Sequence, residues 1–260
     1  MKKNNITPTL SIQGNYGFEI LIDNLIKEEL TMVFKHKFET VLRNFENINS
    51  IEGEIVECGS WKGGFSIFMS HLFYDKKIWV CDSFEGFQPL EEATYNSPVD
   101  ERHDESLFKE RMSLSLDEVK ETFKKYGLED KRISFLKGYV KDTLKPDTCE
   151  ISNIALLRID VDSYSATREV LDLLYDKVVK GGYIVFDDSE LFEANQAMND
   201  FFKERNINVE YLHPVTDKVC ENLPDADPNG GWHTNYPEGY MYYGGPNPGI
   251  VPTGLYIIKK

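Results

Sequence analysis

Positive charge is scarce in this chain: 29 Lys and Arg stand against 44 Asp and Glu, a net charge of −15 over 260 residues. A field of that sign repels phosphate, which argues against nucleic acid or an anionic membrane as partner and favours a neutral or cationic ligand. Cysteine is sparse as well. The four residues Cys58, Cys81, Cys149 and Cys220 show no C-x-x-C spacing and two lie in apolar runs, so reduced thiols in a cytoplasmic protein are expected. No stretch approaches the ~20 apolar residues of a membrane span. The start MKKNNITPTLSIQG is basic but lacks an apolar core, so export is not expected either. The five histidines have no H-x-x-x-H or H-E-x-x-H spacing, which argues against zinc. A P-loop, a G-x-S-x-G elbow, internal repeats and low-complexity tracts are all missing.

What the chain does have is a repeating cycle of short apolar runs and helical segments. EIVEC (54–58), KIWVCD (77–82), RISFLKG (132–138), ALLRID (155–160) and YIVFDD (183–188) read as strands. Between them FSIFMSHLF (65–73), LDEVKETFKKYG (116–127) and TREVLDLLYDKVV (167–179) read as helices, the last ended by Gly181-Gly182. Such alternation predicts one α/β domain with a parallel sheet covered on both faces. Residues 17–46 carry apolar positions at helical spacing and predict one or two helices ahead of the sheet. A helix over 192–206 and strands over 208–215 and 254–260 complete the pattern. Two segments interrupt it, 87–112 and 214–252, and both are expected on the ligand edge as lids.

Acidic residues close several of the predicted strands, so a single crevice should gather them at the carboxyl edge of the sheet. In EIVECGSWKGG, Glu57 ends its strand and Gly59, Gly63 and Gly64 let the backbone turn tightly. An acid there would repel a pyrophosphate, so a ligand with an amino group and a ribose fits better, and S-adenosylmethionine is such a molecule. A glycine turn serving packing alone is the competing explanation. Asp82, 25 residues further on, is placed to accept from ribose hydroxyls. Ser83 and Phe84 follow at the rim, where a main-chain group and an aromatic face would hold the adenine, and Gly138 would let the adenine approach the backbone. Asp160, Asp187 and Asp188 form an all-oxygen set suited to Mg²⁺. Asp160, between cofactor and metal, is also the expected acceptor of a substrate proton. An Asp-rich turn, with Asp162 or Ser163 capping the next helix, is the alternative. His36 and His233 are more ordinary packing or surface histidines, although both could reach a substrate.

Together the motifs VECGSWKGG, DSFEGF, SLDEVKETFKKYGL, FLKGYVKDTL, LRIDVDSYSATREVLDLLY and GGYIVFDD resemble the macrocin O-methyltransferase family, over about residues 29–188. That resemblance implies a Rossmann-like class I methyltransferase fold with a seven-stranded, mostly parallel sheet and an antiparallel last strand. It implies S-adenosylmethionine and Mg²⁺ as cofactors, with Glu57, Ser66, Asp82 and Ser83 at the first and Asp160, Asp187 and Asp188 at the second. The implied acceptor is a hydroxyl of a sugar or glycosylated natural product. Relatives of this kind often form dimers, and the N-terminal helices offer a surface for a homodimer. Residues 214–252 depart from the family pattern. Their cluster of Trp232, Tyr236, Tyr240, Tyr242 and Tyr243 suits the apolar side of a sugar ring, but equally a phenol. A catechol or phenol methyltransferase and a non-catalytic nucleoside-binding protein are therefore the rival readings.

Overall fold

Each apolar run of the cycle becomes a strand whose neighbouring residues face opposite sides. The computed structural model describes residues 16–89, 92–95, 112–189, 191–212, 219–221, 240–243, 249–252 and 255–260. Strands β1 (Glu54–Cys58), β2 (Ile78–Asp82), β3 (Ile133–Lys137), β4 (Ile154–Ile159) and β5 (Val178–Phe186) are parallel. They belong to a sheet that also holds β6 (Glu210–Leu212), β7 (Val219–Glu221) and β10 (Leu255–Ile258), in the order β3-β2-β1-β4-β5-β10-β6-β7. Seven of these strands are those expected, with β10 antiparallel between β5 and β6. The short β7, antiparallel to β6, is an eighth strand at the edge. A separate hairpin pairs β8 (Tyr240–Tyr243) with β9 (Gly249–Pro252). The 214–252 segment, expected as an interruption of the pattern, thus contains three short strands.

The two-residue period of the strands sends alternate side chains to two cores. Ile55, Ile78, Val80, Leu156 and Val185 pack with α1 (Tyr16–Lys27), α2 (Lys35–Arg43), α3 (Phe45–Asn49), α4 (Gly64–Leu72) and α5 (Leu116–Lys125). Val56, Cys58, Cys81, Leu157, Ile159, Ile184 and Phe186 pack on the other side with α6 (Val140–Thr143), α7 (Tyr164–Leu174) and α8 (Phe192–Glu204). This two-sided burial is why the strands read as continuous apolar runs. Cys58 and Cys81 are buried free thiols within it.

Two boundaries differ from the sequence reading. The N-terminal segment forms three helices, because the chain breaks its helical path at residues 28–34 and again at Asn44. The helix expected over 167–179 runs from Tyr164 to Leu174, tightens into a 3₁₀ turn at Tyr175–Lys177 and gives way to β5 at Val178. Ser163 starts it by accepting the Ala166 amide at 3.1 Å. Gly181 and Gly182 lie inside β5 and do not end the helix. Gly181, at φ +80°, sits where the β4–β5 register shifts between Ile154–Val178 and Leu156–Tyr183. Among the described residues no helix is long and apolar enough to cross a membrane.

Candidate active site

Beyond the carboxyl ends of β1 to β5 lies a cavity of about 310 Å³. The strand-end loops that form it touch through their backbones. Gly59, at φ +87°, is placed so that a Cβ would fall 1.6 Å from the Asp160 carbonyl oxygen, so no other residue fits there. The Gly59 amide continues the ladder to the Cys81 carbonyl, as the Asp160 amide does to Cys58 and the Asp187 amide to Ile159. The acids that follow the strands are thereby held at fixed heights on one edge. Trp61 and Asp162, two non-glycine residues with positive φ, also line this cavity. Strained backbone of that kind concentrates at functional sites.

At the floor of the cavity lies Arg158, 1% exposed. It pairs in register with Glu57 across β1 and β4, donates to the Glu57 carboxylate and to Asp160 Oδ2 at 2.8 Å, and donates through its other terminal nitrogen to Asp187 Oδ1. Its guanidinium lies 3.9 Å from the Phe65 ring centroid. Glu57 is fully buried and also accepts from the Ser66 hydroxyl. Burial pushes its carboxyl up to about 7, against the opposing pull of Arg158. Burial likewise raises Asp160 to about 6, opposed by Arg158 and reinforced by Asp187. At Asp187 burial acts upward too, but Arg158 and Lys37 together hold the carboxyl below its ordinary range. Lys37, on α2, reaches Asp187 Oδ2 at 2.9 Å and its carbonyl oxygen at 2.8 Å.

Asp188 is different. It accepts the Asp162 amide at 3.0 Å, and burial, with Asp162, Asp160 and Asp187 nearby, pushes its carboxyl well above the usual range. Oxygens of Asp160, Asp187 and Asp188 lie within 4.8 Å of one another. A hard all-oxygen set with surplus negative charge has the donor chemistry of a divalent-cation site.

At the end of β2 the half-buried Asp82 organises the first loop. Its Oδ2 accepts the Ser60 and Trp61 amides, both at 2.8 Å, and its Oδ1 accepts the Phe84 amide at 2.7 Å. Burial raises its carboxyl, and these amides partly counter that. The Ser83 hydroxyl donates to the Gly86 carbonyl at 2.6 Å, so it shapes the turn as well as lining the cavity. Gly138, at φ +139°, lines the cavity too.

Three expected contacts fall elsewhere. Phe84 is buried in the first core and is not on the cavity wall. Ser66 stands behind Glu57, one layer from the cavity. His36 stacks on Phe34, at 6.0 Å between centroids, and is not on the wall, while its neighbours Phe34 and Lys37 are. Trp232 and His233 lie outside the described residues, as does the side chain of Tyr240. Of the first insertion, residues 87–89, 92–95 and 112 are described; Phe87, Gln88, Ala93 and Met112 line the cavity, and 92–95 are tied to α7. The Thr94 amide donates to Glu169 at 3.1 Å, the Tyr95 amide to Ser165 Oγ at 3.1 Å, and the Tyr95 hydroxyl to Asp172.

The sequence reading missed Arg158, Lys37 and the place of Asp162 on the wall. Arg158 carried a signal, since a single charge inside an apolar run such as ALLRID must find partners when the strand is buried. Lys37 carried none.

The model of the family described as Macrocin-O-methyltransferase (TylF) matches residues 26–220, which include every acid described above. Mycinamicin III 3''-O-methyltransferase of Micromonospora griseorubida is 32% identical over 194 residues, 72% of this chain and 70% of that protein. The 8-demethyl-8-(2,3-dimethoxy-alpha-L-rhamnosyl)-tetracenomycin-C 4'-O-methyltransferase of Streptomyces olivaceus is 32% identical over 168 residues, 63% of this chain and 61% of that one. Among solved structures the O-methyltransferase NovP superposes with a TM-score of 0.70, covering 94% of this chain and 98% of its own at 23% identity, a likeness of fold. A family match over three quarters of the chain, which takes in the first five strands and their acidic edge, makes this protein an O-methyltransferase of the macrocin-O-methyltransferase family.

Proposed function

We propose that the protein transfers a methyl group from S-adenosylmethionine to a hydroxyl of a sugar or glycosylated small molecule, with the help of a divalent cation, Mg²⁺ in the first instance. The observation that carries this reading is the cluster of Asp160, Asp187 and Asp188 beside a glycine-turned first loop, in one cavity. The Streptomyces olivaceus relative is named for an acceptor that carries a rhamnosyl group, which supports a sugar here. When bound, S-adenosylmethionine supplies an electrophilic methyl, and a divalent cation lowers the pKa of the acceptor hydroxyl.

The chain's own residues do the rest. The Ser60–Trp61 turn, pinned by Asp82, shapes the wall for the nucleoside, and the acids around the cavity favour a sulfonium over a neutral competitor. Asp160 and Asp188 each keep carboxylate oxygen for the cation. Asp160 Oδ2 is fixed by Arg158, and burial raises its carboxyl to about 6 when no cation is bound, so it is ionised at neutral pH with or without the ion. It is assigned the acceptor proton. Alignment of the hydroxyl with the methyl group provides the remainder of the rate.

The test is calorimetric titration of S-adenosylhomocysteine, followed by methylation assays on a panel of glycosides and phenols with Mg²⁺ or chelator. Cofactor binding, with turnover on glycosides that chelator abolishes, is the expected result. Turnover on phenols alone would overturn the sugar assignment, and turnover indifferent to chelator would overturn the metal. Asp160→Asn should weaken cation binding and lower kcat by about 100-fold or more. Asp162→Asn separates the two roles, because Asp162 is outside the cation set. If that variant loses turnover with cation affinity intact, the proton goes to Asp162.

A further inference from the structure

Asp187 differs from the other two acids of the cation set in being fully engaged by basic side chains. Arg158 holds Oδ1, and Lys37 holds Oδ2 at 2.9 Å together with the main-chain carbonyl at 2.8 Å. Asp160 gives only Oδ2 to Arg158, and Asp188 accepts an amide. Lys37 is 4% exposed and comes from α2, 150 residues earlier in the chain. We propose that Lys37 is an internal competitor of the divalent cation: its ammonium and the cation contend for Asp187, and the Lys37–Asp187 pair loosens as the cation binds. The inference rests on the metal reading above.

The physical reason is charge at close range. A cation that takes an oxygen from each of three carboxylates spaced within 4.8 Å must come close to whatever sits on Asp187. In a poorly solvated pocket the repulsion between a divalent ion and a fixed ammonium is large. Arg158 cannot yield, because it is locked by Glu57, Asp160 and the Phe65 ring. Lys37, on a flexible four-carbon stem, can. Its pair with Asp187 also compensates that buried carboxylate whenever the cation is not there. Thr31, Met32, Val33 and Phe34, which line the cavity, lead directly into α2, so the exchange links cation loading to that wall.

The experiment is Mg²⁺ and Mn²⁺ titration by calorimetry, with thermal melts in chelator, on the parent, Lys37→Met and Lys37→Arg; Lys37→Gln serves if the methionine variant does not fold. The expected result is cation binding about tenfold or more tighter in Lys37→Met and within about threefold of the parent in Lys37→Arg. In chelator the Lys37→Met midpoint should fall by about 5 °C or more, and added cation should raise it by more than it raises the parent's. Unchanged or weaker cation binding in Lys37→Met, with a parent that binds, overturns the competition and leaves Lys37 as a support for Asp187. A parent that binds neither ion removes the metal reading and this inference with it.

Discussion

Arg158 is the residue on which the others depend. Four buried or half-buried acids, Glu57, Asp160, Asp187 and Asp188, face two buried cations, Arg158 and Lys37, and three of the four are bonded to Arg158. Arg158→Met should destabilise the protein by about 3–5 kcal/mol at neutral pH, because it strands buried carboxylates without a partner. The deficit should shrink on acidification. Glu57 and Asp160 have folded-state values raised to about 7 and about 6, so the fold favours their protonated forms. Stability from such groups is present at low pH and is lost as pH rises through those values. Urea denaturation from about pH 5 to about pH 8 measures this, and a deficit that does not grow with pH would contradict it. The acids themselves were legible in the sequence, since each ends an apolar run. Their partners were less so, because Lys37 reaches Asp187 from 150 residues away and nothing in KHKFETVLR separates it from a surface lysine.

At the scale of elements, strands were easier to read than helix ends. Burial on both faces makes a strand an unbroken apolar run, whereas the limits of α7 depended on a cap and on a 3₁₀ turn. The glycine pair that suggested a stop belongs instead to an irregularity in β5. The cleanest test of an end is α5. Ser115 accepts the Glu118 amide at 3.3 Å while Glu118 accepts the Ser115 amide at 3.0 Å, a reciprocal cap on the exposed side of the molecule. Ser115→Ala should lower stability by about 1 kcal/mol and leave cofactor affinity unchanged. Equal affinities for S-adenosylhomocysteine with shifted urea midpoints would bear this out. Loss of cofactor binding would mean that α5 does more than pack. The 214–252 segment was the least legible element, because strands of three or four residues carry no periodic signal.

For the whole molecule, the position of β10 matters most. Ile257 is 3% exposed, packs in the second core and stands in register with Ile184 of β5 and Tyr211 of β6. Ile257→Ala should cost about 3 kcal/mol. Because this strand joins β6 to the rest of the sheet, the loss should appear as one cooperative shift in thermal melts read by near- and far-ultraviolet circular dichroism. Separate transitions would show that β6 and β7 fold apart from the first five strands. The same topology sets an order on synthesis. A nascent chain emerging from the ribosome presents the open edge of β5 long before residues 255–258 exist to cover it, and a bare edge is a template for wrong pairing. Translation speed between β5 and β10 should therefore affect how much protein is recovered from a cell.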